Sequence, residues 1–399
     1  MPINDTPRPM EKLKNRADLV KVVDQLIESA EKMKSSLELF ERSSEPDQKM
    51  EMIPQNETLS TVSSRIFPEK RHEMGPCKPI FGKVTIFVAF DETSMKNLYK
   101  VSQESLACYL KSTNYTVVMV DLNKDPRVNE TCSKNKELVF KKHCAAAVYL
   151  QDTDWMLVLD ADTGVVNPNH CVEEWIDDRV DIIFYERFFN WEIACGNYLI
   201  RNSKFSLQFL REYGEWEFNR PSGWNGADNG VLEMHLAKTL MPTARQEIEN
   251  CNQLWANATD YDTYMAFVTC VRLMIGARRF WPGKVRIYRR AHGFVRDGAL
   301  TSDNWCEFDF MLHGWKHKMV GDDGWEGPFN ANLNTSLCGN GYSGWDFRKS
   351  KIKDVMEIRK MLAGFERSAG ENYPKVARVL PHISMPDIAN CYPNCEERE

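Results

Sequence analysis

The sequence contains no long apolar run. No stretch reaches the ~18 to 20 consecutive apolar residues that a membrane-spanning helix needs, and the first 20 residues contain no apolar core of a secretory signal. The cysteines and glycosylation sequons nevertheless favour the secretory pathway. We therefore expect the natural start of the protein to lie upstream of Met1. A cytosolic protein is the alternative.

An excess of basic residues is also missing. The formal net charge is -6, so the chain lacks the positive surface with which proteins bind nucleic-acid backbones. One local basic run is present. We interpret it as a solvated face around a strand, with phosphate binding by one or two of its members as the alternative. Its members are Arg278, Arg279, Lys284, Arg286, Arg289, Arg290 and Arg296.

Paired CxxC motifs with zinc-site spacing are absent, so we expect no structural zinc site. The chain nevertheless has 12 cysteines, and scattered cysteines in an extracytoplasmic protein indicate disulfides. Sequons for N-glycosylation favour the same compartment. We expect a protein of the Golgi or secretory-pathway lumen, membrane-anchored in its full-length form, or else a secreted one. The five sequons start at Asn56, Asn114, Asn129, Asn257 and Asn334.

Residues 1–76 differ in composition from the rest, being polar and free of Cys and Trp. Between residues 19 and 40 apolar side chains alternate at spacings of four and three over three heptads. This pattern predicts either a short self-associating coiled coil in a stem or one amphipathic helix lying on the domain. Residues 41–76 are typical of a linker. We assign 77–350 to the main domain and 351–399 to a C-terminal helix with a Cys-containing tail.

Strand-length apolar runs alternate with helical segments from residue 77 onward. Strands are predicted at 83–90, 116–122 and 155–159, with helices at 94–111 and 135–150 between them. This order predicts an α/β domain with a mainly parallel central sheet flanked by helices. Ligands of such sheets bind beyond the carboxyl ends of the strands. The carboxylates at such ends are Asp91, Asp121 and Asp160. Further strands are predicted at 181–186, 197–200, 284–290 and 308–312, further helices at 228–240, 260–275 and 351–367, and a loop at 321–344.

The most informative local feature is the apolar run WMLVL, which leads into Asp160-Ala-Asp162. In extended backbone, side chains at i and i+2 share one face. Two carboxylates on one face repel each other unless a cation lies between them. Mn²⁺ or Mg²⁺ fits, because such ions take oxygen ligands from carboxylates and phosphates. A pair of solvated loop acids is the alternative.

A second apolar run, FDFML, leads into His313. An imidazole there could complete the ligand set of an ion such as Mn²⁺. Lys316 follows closely and could neutralise a diphosphate leaving group. The alternative for a lone histidine is a structural residue with its hydrogen bonds satisfied.

These segments together resemble the GT-A-type glycosyltransferases, which have a Rossmann-like fold. They are most similar to the galactosyl, mannosyl and xylosyl transferase family, and closest to a nematode-expanded domain of unknown function related to it. Asn229 stands where that family commonly has Gln, which leaves donor and acceptor identity open. The resemblance covers about residues 155–320 and is carried by WMLVLDADTGVVNP, the G-x-x-x-I/L-R-N segment from Gly196, the D-x-x-x-L helix from Asp228 and the strand into His313.

The resemblance implies an enzyme that transfers a hexose or pentose from a nucleotide-sugar, with UDP expected, to a glycan or glycoprotein, with retention of configuration. It implies metal ligation by Asp160, Asp162 and His313, with Asp160 also near the ribose. Judged from the residues alone, Asp228 could equally be a helix N-cap. The other implied roles are the base or ribose site for Asp91, the donor-sugar pocket for Asn197, the sugar or acceptor for Asp228 and the diphosphate for Lys316.

Two other functions use similar residues. A catalytically inactive protein of the same fold would keep sugar or nucleotide binding without turnover. A glycoside hydrolase would also use two carboxylates, but they must flank the scissile bond ~5 to 10 Å apart. The pair Asp160 and Asp162 is too local for that, and it suits a shared metal better.

Overall fold

The computed structural model describes residues 74–188, 190–291, 294–316, 326–330, 332–372 and 388–395. The predicted heptad seam and most of the predicted linker lie outside the described residues. Within the part that is described, no helix is both long enough and apolar enough to cross a membrane.

Ten strands in the described residues form two sheets. They are β1 (Val84–Phe90), β2 (Thr116–Asp121), β3 (Trp155–Leu159), β4 (Gly164–Val165), β5 (Ile182–Tyr185), β6 (Tyr198–Arg201), β7 (Phe280–Trp281), β8 (Val285–Tyr288), β9 (Val295–Asp297) and β10 (Met311–His313).

The central sheet has seven strands in the order β2-β1-β3-β6-β5-β8-β7, and the second sheet has the order β4-β10-β9. In the central sheet β1 runs parallel to β2 and β3, and β5 runs parallel to β8. Strands β6 and β7 are antiparallel to their neighbours. Five of the seven strands therefore point the same way, and the predicted α/β fold with a mainly parallel sheet flanked by helices is confirmed.

The strands at the centre of the sheet read as continuous apolar runs because both faces are covered. Along β3, Met156 and Val158 belong to one apolar core and Leu157 to the other. All five residues of β3 are buried. Asp160 is the first residue after this buried strand, so it lies where β3 leaves the core, at the carboxyl end of the sheet.

The helices are α1 (Glu92–Leu98), α2 (Lys100–Leu110), α3 (Pro126–Thr131), α4 (Leu138–Leu150), α5 (Lys204–Glu215), α6 (Ala227–Leu240), α7 (Arg245–Ala256), α8 (Tyr261–Ile275), α9 (Val355–Asn372) and α10 (Ile388–Cys391). The predicted helix at 94–111 is thus two helices, because Tyr99, at φ -112° and ψ 15°, leaves the helical region between them. Sequence reasoning missed α3, α5, α7 and the short α10. Helix α3 had a readable signal, since Asp125 caps it and Pro126 opens it.

Two later elements are shifted from their predicted positions. The strand predicted at 308–312 is β10, which begins three residues later and includes His313. The helix predicted at 351–367 is α9, which ends at Asn372. Helix α9 shares an apolar cluster with Phe188 and Leu300, so it packs onto the main domain.

The structure corrects the interpretation of the basic run as a solvated face. Four of its arginines are buried and paired with carboxylates, which compensates the cost of burying their charge. None of its residues lines the cleft that opens at the ends of β1 and β3. The pairs are Arg279 with Glu186, Arg286 with Asp177, Arg290 with Glu366 and Arg296 with Asp309.

Ten of the 12 cysteines form disulfides. Cys195 and Cys306 are buried free thiols. Two of the bridges close long loops and fasten α2 and the segment before β1 to later parts of the chain. The pairs are Cys77–Cys171, Cys108–Cys338, Cys132–Cys144, Cys251–Cys270 and Cys391–Cys395.

Candidate active site

A cleft of about 360 Å³ opens where β1 and β3 end. All seven residues that the sequence singled out as site residues line it. Asp121, the remaining strand-end carboxylate, is not among the lining residues and accepts a hydrogen bond from the Asn123 backbone within its own turn (2.9 Å). The seven lining residues are Asp91, Asp160, Asp162, Asn197, Asp228, His313 and Lys316.

The second sheet brings the carboxylate pair and the histidine together. Strand β4 begins two residues after Asp162 and pairs antiparallel with β10, with Gly164 opposite Leu312. His313 is the next residue of β10. Its Nε2 lies 3.5 Å from Asp160 Oδ2 and 3.3 Å from Asp162 Oδ1. The pairing of β4 with β10 thus brings together residues that are about 150 positions apart in sequence.

This cluster fits a divalent cation. One ligand atom from each of Asp160, Asp162 and His313 lies within 4.8 Å of the others. Two carboxylates and one imidazole around a common point are donors that Mn²⁺ accepts, and Mg²⁺ accepts the oxygens. The arrangement leaves coordination positions for phosphate oxygens or water.

Asp297 supports the histidine, and sequence reasoning missed it. Strand β9 pairs parallel with β10, and this register sets Asp297 beside His313. The Nδ1 of His313 lies 2.6 Å from Asp297 Oδ1. With Nδ1–H donating to this carboxylate, Nε2 is the nitrogen that faces Asp160 and Asp162 and would bind a cation, which is how metal-binding histidines are commonly oriented. The available sequence signal was another carboxylate at a strand end, at the close of the short run FVRD.

Charge complementarity is strong in this corner. Burial opposes the charged form of His313, but Asp162, Asp160 and Asp297 outweigh burial and raise the pKa of His313 well above its ordinary value. Burial would raise the pKa of Asp160, yet Lys142 and His313 lower it. The two aspartates thus draw positive charge into the space between them, as a cation site requires.

The DxD turn itself is held by Asn197. Its Oδ1 accepts hydrogen bonds from the Asp160 backbone N–H (3.0 Å) and from Thr163 Oγ1 (2.8 Å). Its Nδ2 donates to the Tyr185 hydroxyl at 3.2 Å. Asn197 lines the cleft, as expected, but its amide is committed to these protein partners. The structure therefore shows it as a brace of the carboxylate pair.

Lys316 lines the cleft, and the residue before it, Trp315, is held by several contacts. The Nζ of Lys316 is 3.6 Å from Asp162 Oδ2, and its side chain is half-exposed. The preceding Trp315 is buried. Its backbone N–H donates to the Asp162 carbonyl (2.9 Å), and its indole N–H donates to Asp303 (3.0 Å). The indole packs so closely on Gly164 that a Cβ there would lie 2.4 Å from the ring. The cation of Lys316 is thereby tied to the segment that carries Asp162.

A buried lysine, Lys142, forms part of the floor of the cleft. Sequence reasoning also missed this residue. Lys142 comes from α4, and its Nζ donates to Asp160 Oδ1 at 2.7 Å and lies 4.0 Å from Asp228 Oδ2. Burial disfavours its charge, but Asp160 and Asp228 outweigh burial and raise its pKa. Lys142 therefore stays protonated and joins the metal corner to Asp228.

Asp228 lies in the first turn of α6, where the helix dipole favours a carboxylate. The N-cap is Gly226, so the alternative interpretation of Asp228 as an N-cap was wrong. His143 Nε2 faces Asp228 Oδ2 at 3.6 Å. Burial lowers the pKa of His143 to about 4, so this imidazole is neutral at pH 7. Burial would raise the pKa of Asp228, yet His143 and Lys142 lower it, and the carboxylate is ionised.

Asp91 follows β1 and also lines the cleft. Its carboxylate caps α1 by accepting from the backbone N–H groups of Thr93 and Ser94, both at 3.1 Å. Hydrogen bonding from Ser94 outweighs desolvation and lowers its pKa. Phe90 and Tyr99 line the cleft beside it. The cleft therefore offers an anion and two rings here, in addition to the buried Lys142–Asp228 pair.

The model of the family described as protein of unknown function, DUF273, matches residues 106–323. No curated protein matches the chain. Among solved structures, a glycosyltransferase involved in the glycosylation of the major capsid of PBCV-1 is similar, with 13% identity, a TM-score of 0.35, and coverage of 58% of this chain and 93% of that one.

Two structures of the glycosyltransferase GlyE from Streptococcus pneumoniae TIGR4 are similar at a lower level. The apo form is 14% identical with a TM-score of 0.26, and the match covers 39% of this chain and 43% of that one. The second structure is 11% identical with a TM-score of 0.25, with coverage of 47% and 60%. The match thus spans less than two thirds of the length of GlyE.

Proposed function

This chain belongs to the family described as protein of unknown function, DUF273, and from its cleft we propose that it is a metal-dependent glycosyltransferase of GT-A type. The observation that carries the proposal is the convergence of Asp160, Asp162, His313 and Lys316 at one strand edge. Two acids and a histidine suited to a divalent cation, with a lysine beside them, fit a ligand that brings a diphosphate.

Asp160, Asp162 and His313 would hold Mn²⁺ or Mg²⁺. When bound, the ion supplies Lewis-acid stabilisation of charge on the diphosphate. Lys316 neutralises part of the same charge from the cleft mouth, where its half-exposed ammonium can reach a bound phosphate. Stabilising a departing charge with pre-positioned groups is commonly the largest catalytic contribution.

We propose that the donor extends along the cleft from Asp91 to Asp228. The base and ribose lie near Asp91, Phe90 and Tyr99, and the sugar reaches the Lys142–Asp228 floor. We propose UDP as the nucleotide of the donor. We also propose retention of configuration, with Asp228 facing the sugar. Its ionised carboxylate suits either contact with the anomeric centre or hydrogen bonding to a sugar or acceptor hydroxyl.

The charge state of the acids disfavours a glycoside hydrolase. Such an enzyme needs one carboxylic acid with a raised pKa to protonate the leaving group. Asp160 and Asp228 instead have lowered pKa values, because Lys142 and neighbouring histidines stabilise their anions. Both groups are ionised at neutral pH and are poorly suited to donate a proton.

We further propose that the protein works in the lumen of the Golgi or secretory pathway. The disulfides support an oxidising compartment. Asn56 lies outside the described residues. The other sequon asparagines are exposed or half-buried, namely Asn114, Asn129, Asn257 and Asn334.

Thermal unfolding with UDP or GDP, each with and without Mn²⁺, tests the donor site. A nucleotide at ~100 times its Kd should add about 2.7 kcal/mol to the free energy of unfolding. We expect this gain with UDP only when Mn²⁺ is present. Asp162→Ala should abolish it, and Asp121→Asn, at a strand end outside the cleft, should keep it. Absence of any nucleotide effect on the wild type contradicts the proposal.

Nucleotide binding without turnover of any donor would instead indicate an inactive sugar- or nucleotide-binding protein. Catalysis is therefore tested by a separate turnover assay, whereas the unfolding experiment reports the donor site. It also identifies the base, since only one of UDP and GDP should stabilise the protein.

A further inference from the structure

Trp224 is an exposed tryptophan in an otherwise polar loop. Half of its surface is accessible (50%), whereas the other described tryptophans are buried or half-buried. Leaving an indole in water forfeits the free energy of burying it. An exposed indole is therefore a candidate interaction site, because tryptophan is enriched among the residues that dominate binding energies.

The loop that carries Trp224, residues 219–226, is fixed by its own contacts. The Trp224 backbone N–H donates to the Ala258 carbonyl (3.0 Å), and the Trp255 indole donates to the Asn225 carbonyl (3.0 Å). At Gly223 an added Cβ would lie 2.6 Å from the Ala258 carbonyl oxygen. The indole is thus presented from a backbone that needs little ordering when a ligand binds.

This loop adjoins two segments that line the cleft, although none of its own residues is among the lining residues. It leads directly into α6, whose Asp228 and Asn229 line the cleft. Four peptide units join Trp224 to Asp228, so their Cα atoms are at most about 15 Å apart. Arg220 of the loop pairs with Glu137 at the start of α4, and the next residue, Leu138, lines the cleft too.

The surroundings of the indole select among ligand chemistries. Asn219, Arg220, Ser222 and Asn225 give the indole mostly polar neighbours along the chain, with the exposed ring of Phe218 (54%) just before them. A lipid or an apolar protein surface needs a contiguous apolar patch. A pyranose needs only one ring, because the C–H groups on one sugar face pack against the negative face of an indole. Its hydroxyls can then meet the polar residues around it.

We propose that Trp224 is the platform for a saccharide acceptor, on which one sugar ring of the acceptor stacks. This inference rests on the proposed function and specifies the acceptor as a glycan recognised through its own sugar ring. Asp228 is four residues from this platform along the chain, and Lys142 joins it to the metal corner by contacting both Asp228 and Asp160. The acceptor would reach the donor sugar from the side of α4 and α6.

Binding of the full chain, with UDP and Mn²⁺, to an array of defined oligosaccharides tests the proposal. The variants are Trp224→Ala, Trp224→Phe and, as a matched control, Tyr342→Ala, which removes another exposed ring (53%) from a separate loop, where its hydroxyl donates to Asn169. We expect Trp224→Ala to weaken binding of the preferred glycans by about tenfold or more. Trp224→Phe should retain most of the affinity, and Tyr342→Ala should leave it unchanged.

Stabilisation by UDP with Mn²⁺, measured on the same preparations, shows whether each variant is folded with an intact donor site. Unchanged glycan binding by Trp224→Ala overturns the inference, and so does a wild type that binds the nucleotide but no glycan. A variant that loses transfer to a protein acceptor while glycan binding is unchanged overturns it as well. Failure of the nucleotide to stabilise the wild type would contradict the proposed function instead, so the two failures are distinguishable.

Discussion

At the scale of single residues, the cleft-lining residues that follow long apolar runs were predictable, and Lys142 and Asp297 were not. Asp160, Asp162 and His313 follow apolar runs, and strand ends are where α/β sheets bind ligands. Lys142 lies within α4, where a lysine ordinarily faces solvent. Its burial beside Asp160 follows from the packing of α4 on the sheet, a long-range contact that no local pattern encodes.

Asp297 carries the first residue-scale prediction. Asp297→Ala removes the acceptor that fixes the Nδ1 proton of His313, so the imidazole loses its orientation. We expect Mn²⁺ affinity to fall about 10- to 100-fold, measured by titration of Mn²⁺ with electron paramagnetic resonance. Asp297→Asn keeps a hydrogen-bonding side chain and should lose less. Equal affinity of Asp297→Ala and wild type would show that Asp297 does not support the metal ligand.

Lys142 gives the second prediction at the scale of single residues. Lys142→Met leaves the carboxylates of Asp160 and Asp228 without their buried cation, and we expect the free energy of unfolding to fall by about 3 to 5 kcal/mol. Urea unfolding measures the loss. In the double variant with Asp228→Asn the loss should be smaller than the sum of the two single losses, since one repulsive charge is gone. Strict additivity would mean that Lys142 and Asp228 are not coupled.

At the scale of elements, long buried strands were recognised and the short ladder at the site was not. Strands β1 and β3 are apolar almost throughout because they are covered on both faces. Strand β10 was predicted from the apolar run before His313, but β4 and β9, the strands that pair with it, have two and three residues, too few for any periodicity to show. Yet their pairing sets His313 opposite the carboxylates. The sequence could therefore indicate which residues form the site, and the register that joins them came only from the structure.

Gly164 tests how that ladder supports the site. Gly164→Ala forces a Cβ into the ring of Trp315, and overpacking of this kind costs about 1 to 3 kcal/mol of stability. Displacing Trp315 should also weaken stabilisation by UDP with Mn²⁺, because Lys316 is the next residue. Gly364→Ala is the control. It lies within α9 with open space around it and should stabilise by about 0.5 to 1 kcal/mol. A harmless Gly164→Ala would contradict the tight packing of β4 on Trp315.

At the scale of the whole molecule, the fold class was accessible from the alternation of strands and helices. The reversed direction of β6 was not, because a short buried strand reads the same whether it runs parallel or antiparallel. The composition also indicated disulfides, but their pairing depends on which segments the fold brings together. The bridge between Cys108 and Cys338 joins α2 to a loop far along the chain.

The cysteines give a prediction for the molecule as a whole. Protein isolated under native conditions, then denatured without reduction, should react with a thiol reagent at two positions, Cys195 and Cys306. After reduction all 12 cysteines should react, as counted by mass spectrometry. Broad labelling before reduction would contradict the five disulfides and favour a reducing compartment.

The most direct test of the central claim is release of UDP from a panel of UDP-sugars by the purified full chain, with Mn²⁺ or with a chelator. We predict release from one donor, dependent on Mn²⁺, accelerated by a glycan acceptor, and lost in Asp162→Ala. Release that is equally fast in Asp162→Ala or in chelator would contradict a metal-dependent transfer at this cleft. No release from any donor, with or without acceptors, would contradict catalysis by this protein.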